Sequence, residues 1–330
     1  MHRFAFLVHP LHWLGRGATG ARSLNWRRVL QIPTPPAASE VGILCRVGFR
    51  DAEGLVISVP LLPEDILSQQ QLALDMMCQA VKIGQPLEMI GLGSVLAVVA
   101  SRGAALQQET GVPVTTGNAA TAWTALTVAS AVHESGPIAV LGSGGPVGCA
   151  VAALLREEGF TVEEDPDDCR PFRLLVGAHT TGGILPPEQL SAGATLVDVA
   201  LPPTLAGPAP RGVRVLKGES IALPRGWRRD VWGHLFHIIS PFGHQSTYTC
   251  LLEPLVAVLT GRREPFAQGR RLSLDAVREF GRAATAFGFY PEIKRVGRFS
   301  RRLGVVTPRA RPPIVCEMPQ EVMAAESVGG

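Results

Sequence analysis

The chain has 330 residues, of which 46% are hydrophobic and 18% charged, proportions that suit a cored globular protein and exclude a disordered one. Its 31 basic and 28 acidic residues leave a formal net charge of +3, too small and too evenly spread to draw a nucleic acid. Only three lysines occur, Lys82, Lys217 and Lys294, so the positive charge is nearly all arginine. The length suggests about two domains. The six cysteines contain no CxxC pair, and a chain this long needs no disulfide staples, so they read as reduced thiols of a cytoplasmic protein.

In chain order, Phe4 to Pro10 reads as a buried strand ending at proline. His9, Pro10 and His12 break the apolar start and argue against a cleaved leader. Two alternating runs around Asp51-Ala52-Glu53-Gly54 signal a hairpin. Pro63-Glu64-Asp65 opens a helix whose apolar face is Ile66, Leu67, Leu72, Met76, Ala80 and Val81. A short strand, LEMIGLG, precedes an Ala-rich helix expected from about Val95 to Thr110. VPVTTGN reads as a strand and polar turn, and Ala119 to His133 as a helix capped by Asn118 or Thr116. Residues 1–134 are therefore expected to form an N-terminal α/β domain carrying much of the substrate site.

A second unit, 135–243, begins with IAVL, a glycine-rich turn, a helix and the strand ending TVEED. Ile138 to Leu155 carries no charge, but its glycines favour strand, turn and helix over a membrane span. FRLLVGA, ATLVDVA and VRVLKG read as further strands of a parallel sheet buried on both faces. Asp165 to Pro171 is short for a parallel crossover. Fully extended it reaches about 24 Å, and the return path needs roughly 20 Å, so the crossing is possible without a helix. The expected architecture is α/β, two domains, the second a shortened Rossmann-like parallel sheet. Residues 244–300 are expected to be C-terminal helices, with one from Thr247 to Thr260 kinked at Pro254 and another from Leu274 to Phe287. Residues 301–330 read as a disordered tail.

The turn Gly142-Ser143-Gly144-Gly145-Pro146-Val147-Gly148 follows a strand and opens a helix, the setting in which a loop cradles the pyrophosphate of a dinucleotide. A tight turn without ligand explains the same glycines. Glu163, Glu164 or Asp165, at the end of the next strand, are placed to accept ribose hydroxyls, and Glu164 is assigned to the cofactor site.

Several blocks together resemble a family. FAFLVHPL, LLPEDIL, IGLGSVLAVV, VPVTTGNAATAW, IAVLGSGGPVGCAVAALL, TYTCLLE and FGRAATAFGF are similar, in this order, to the shikimate-dehydrogenase-like long-chain acyl-[acyl-carrier-protein] reductases. The resemblance implies reduction of a fatty acyl thioester to an aldehyde with NADPH, NADH being possible. It implies Cys250 as the acyl-carrying thiol and Glu253 as its companion one helical turn later. It places Thr115, Thr116, Gly117 and Asn118 in the substrate site, to which His9 at the end of the first strand is added. Acyl carrier protein or acyl-CoA would be the partner, with peripheral membrane contact possible, no transmembrane segment and no nucleic acid. The acidic run after the second strand and the short cofactor domain depart from the family.

A thiolate suits thioester exchange if a helix N-terminus or a nearby base lowers its pKa. Cys250 lies near the start of a helix, and His244, six residues earlier, is the candidate base among His234, His237 and His244. No metal site is read from these histidines. The rival reading is a non-catalytic relative that keeps the fold, has lost cofactor binding, and acts as a binding or accessory protein.

Overall fold

The computed structural model describes residues 1–9, 40–234, 245–295 and 301–306. The chain builds two sheets, each rich in parallel pairs and flanked by helices, an α/β architecture as expected.

The first sheet has six strands among the described residues. Its centre is β1 (His2–Val8), which pairs in parallel with β3 (Ala52–Ser58) and β4 (Met89–Leu92). Phe4, Ala5, Phe6 and Leu7 are all buried, the continuous apolar run of a strand covered on both faces. β2 (Gly42–Phe49) forms the expected hairpin with β3. The short β5 (Val114–Thr115) extends one edge, and β12 (Arg228–Arg229) closes the other antiparallel to β2.

The helices depart from the sequence reading in three places. The helix opened by Pro63 breaks at Gln69 into α1 (Pro63–Ser68) and α2 (Gln70–Gly84). The Ala-rich stretch after Val95 is not one helix: Ser94–Ala97 is a 3-10 turn, and Ala100, Ser101 and Arg102 are all left-handed. Such a run cannot continue a right-handed helix, so α3 covers only Ala104–Thr110. The helix expected from Thr247 starts two residues later, because Ser246–Tyr248 pair as a strand. The next helix, α4, covers Asn118–Val132.

The second sheet runs β7 (Val162–Glu164), β6 (Ile138–Leu141), β8 (Leu174–Gly177), β9 (Thr195–Asp198), β10 (Arg214–Lys217), all parallel. It continues antiparallel through β14 (Tyr290–Arg295), β11 (Ser220–Ala222) and β13 (Ser246–Tyr248). The chain passes from β7 over β6 to β8 without a helix, as the distance arithmetic allows. Arg301–Val305 is not tail but β15, paired with β14.

Helix α5 (Pro146–Glu157) follows β6 and packs against α4. Helix α6 (Thr249–Leu259) is fed by β13 of the second sheet yet packs on β4 and β1 of the first. Helix α7 (Leu274–Ala286) lies against α4, and its N-cap Ser273 accepts from the Ala276 amide. One apolar core joins residues of both sheets, from Phe4 and Met89 to Val140 and Leu216, through Leu252 and Leu255 of α6.

Candidate functional site

The first turn of α6 meets the first turn of α4. Gly117 precedes α4 with φ +77, and a Cβ there would lie 2.4 Å from that of Cys250. Glycine is therefore required by both backbone and contact. The sequence reading assigned the cap of α4 to Asn118 or Thr116, but the cap comes from another helix. The buried Glu253 carboxylate accepts from the Gly117 amide at 3.2 Å and the Ala120 amide at 2.7 Å, and from the Thr115 hydroxyl. It thus satisfies donors that α4 leaves open. Burial pushes its pKa up to about 7, against the lowering effect of those hydrogen bonds. Thr115 and Thr116 tie this corner to the Ala267 backbone: the Thr116 amide donates to the Ala267 carbonyl at 2.9 Å. Asn118 is the first residue of α4.

Cys250 is half-buried against Gly117, and burial and the nearby Glu219 and Glu253 push its thiol well above the usual range. No lowered pKa accompanies the helix start. His244 lies outside the described residues, as does His237. His9 is buried at the far end of β1, where its Nε2 accepts from the Val95 amide at 3.3 Å.

The glycine turn is folded onto the chain's own groups. Gly142 has φ +89, and a Cβ there would lie 3.0 Å from the backbone of Ala178 and His179. Gly142 and Ser143 donate their amides to the Asp165 carboxylate at 2.6 and 3.0 Å, and the Ser143 hydroxyl donates at 2.7 Å. Asp165 itself is left-handed. These hydrogen bonds hold its pKa down, although burial works the other way. Gly145 caps α5, Pro146 takes the first helical position where no amide is needed, and Val147 and Gly148 complete the first turn. Glu164 forms an ion pair with Arg156 and also hydrogen-bonds to Ser143 of the turn.

The carboxyl ends of β9 and β10 carry charge that the sequence reading passed over. Lys217 and Asp198 stand opposite one another on the two parallel strands, and Glu219 follows two residues later. Glu219 also accepts the Thr249 amide at its backbone carbonyl, which sets it at the start of α6. Its side chain is buried. Burial pushes its pKa up to about 7, moderated by the Lys217 charge. Burial lowers the Lys217 pKa while Glu219 and Asp198 oppose that shift. Lys-Gly-Glu directly after an apolar strand was the available signal, since ligands of open parallel sheets gather at the carboxyl ends of strands.

No family model matches the chain. One relative does. The chain is similar to the aminotransferase PigE of a Serratia species, at 25% identity over 350 aligned positions. The alignment takes in 88% of this chain and 40% of the relative, so the chain spans about two fifths of the length of the protein it matches.

This similarity overturns the reading as a long-chain acyl-[acyl-carrier-protein] reductase. PigE is named for amino transfer, so the oxidoreductase class, the NAD(P)H-dependent reduction of an acyl thioester and the aldehyde product are set aside. The NADPH or NADH expectation goes with them, and the glycine turn gives a physical reason. Two of the amides expected to meet a dinucleotide already hold Asp165, a carboxylate of the chain itself. Among the described residues no helix is long and apolar enough to cross a membrane.

The name aminotransferase implies pyridoxal phosphate. Such a site needs a lysine for the aldehyde, a carboxylate or arginine for the ring nitrogen, and donors for the phosphate. Lys82 is exposed on α2, and Lys217 lies between Asp198 and Glu219. Asp198 turns its carboxylate onto its own loop, accepting from the Ala200 amide and from the Thr204 amide and hydroxyl. The glycine turn gives its amides to Asp165. Among the described side chains, these residues do not fit the cofactor; the side chain of Lys294 lies outside them.

Proposed function

We propose that the chain serves an amino-transfer reaction by binding the amine or carbonyl substrate where α6 begins, with Glu219 as the proton-handling group. The observation that carries this reading is the Glu219 carboxyl, buried at the carboxyl end of β10 two residues beyond Lys217, with its pKa pushed by that burial up to about 7. An amine attacks a carbonyl only as the free base, so a group that takes a proton near neutral pH suits this chemistry. Among the described residues the neighbouring buried Thr249 hydroxyl has no hydrogen-bond partner. Similarity to PigE supports the reaction class, over the two fifths of that protein that the chain spans.

The reading is tested by calorimetric titration of the full chain with primary amines, amino acids and aldehydes across pH 5 to 9. Binding of one of these classes is expected to change through about pH 7 and to lose that pH dependence in Glu219→Gln. Binding identical in the two proteins at every pH would sink the assignment. Acyl carrier protein and acyl-CoA belong in the same titration, as carriers on which a carbonyl substrate would arrive.

A further inference from the structure

We infer that this chain holds no pyridoxal phosphate of its own, and that the amino-transfer chemistry for which PigE is named draws its cofactor from the part of that protein the chain does not match. The aligned region takes in 40% of PigE, which leaves the larger share of that protein outside it. Among the described side chains, the lysine, acid and phosphate donors that a pyridoxal site would draw on are committed elsewhere. The half-buried Lys217 stands opposite Asp198 on the neighbouring strand and two residues before Glu219, and the charges of both carboxylates act on it. Asp198, the acid nearest to it along the sheet, is closed by three hydrogen bonds to Ala200 and Thr204 and cannot turn to a ring nitrogen without opening its loop. The glycine-rich strand-to-helix turn, where a phosphate would be sought, is bridged by Asp165. An anionic phosphate brought there meets a carboxylate held in its charged form. Amino transfer involving this chain therefore needs a second, pyridoxal-bearing polypeptide region that supplies the imine while this one handles a substrate. The substrate role rests on the amine-binding reading; the lack of a pyridoxal site rests on these donor groups alone.

The test is trapping. The full chain is incubated with increasing pyridoxal phosphate, reduced with borohydride, digested and read by mass spectrometry. Labelling is expected to rise without saturation, with Lys82 modified first because it is exposed and Lys217 left unmodified. Saturable one-to-one labelling of Lys217 or Lys294, at concentrations that leave Lys82 free, would overturn the inference. In a second arm the amine titration is repeated with pyridoxal phosphate present. An unchanged midpoint is expected, and a tenfold tightening would count against the inference. If no amine binds in either arm while Lys217 stays unlabelled, the substrate reading fails and the absence of a pyridoxal site stands.

Discussion

Two buried glutamates with the same direction of shift have opposite surroundings. Glu253 is enclosed by donors of α4, whereas Glu219 lies at the carboxyl end of β10, near the charge of Lys217. Both are raised in the folded state to about 7 from an ordinary 4.5. Their protonated forms favour the fold, so stability is fully present below about pH 4.5 and is lost as pH rises towards 7. Glu219→Gln is expected to flatten part of that decline in chemical denaturation curves taken between pH 5 and 8. An undiminished slope would refute the raised Glu219. Gly117 is the other exacting residue. Gly117→Ala places a methyl on Cys250 and strains a left-handed backbone, a change expected to cost about 2–4 kcal/mol in urea unfolding. Cys250 was conspicuous in the sequence because of its place in a recognisable block. Glu219 was less so: Lys-Gly-Glu after an apolar strand marks a strand end, but how deeply that glutamate is buried is a property of the folded surroundings.

At the scale of elements, helix ends carry most of what the sequence left unread. The apolar strands β1, β3, β4, β6, β8 and β9 were legible because burial on both faces demands a continuous hydrophobic run. The cap of α4 was not, since its donor and acceptor are more than 130 positions apart. Glu253→Ala leaves the α4 amides and the Thr115 hydroxyl without their acceptor, and is expected to destabilise by about 3–5 kcal/mol. Ser273→Ala at the start of α7, a conventional local cap, is expected to cost only about 1 kcal/mol. Comparable losses in the two variants, by the same denaturation assay, would show that the long-range cap is not special. The turn between β6 and α5 follows the same logic with opposite sign. Asp165 is held in its charged form, so its contribution is present near neutral pH and lost as the solution is acidified through its lowered folded-state pKa. Asp165→Asn is expected to weaken the turn, read as faster amide exchange at Gly142 and Ser143. Unchanged exchange at both amides would contradict the bridge.

The whole molecule is tied together by α6, which leaves one sheet and packs on the other. The two sheets share one apolar core, so unfolding is expected as a single transition by fluorescence and by circular dichroism alike. Two separated midpoints would show that the sheets unfold independently. The two-unit organisation read from the sequence placed this helix among C-terminal additions. Its contacts make it a shared element, which periodicity alone cannot indicate because a helix's apolar face does not name its partner.

The strand β12 has a consequence for biosynthesis. It closes the edge of β2 only after Asp230, 184 positions beyond Arg46, has been made and its carboxylate can accept the Arg46 amide. At about 5–20 residues per second, the ribosome delivers that closing piece tens of seconds or less after β2, and until then the edge stands open to any neighbouring strand. Newly made chains truncated before residue 228 should therefore depend on a chaperone, and full-length chains should not.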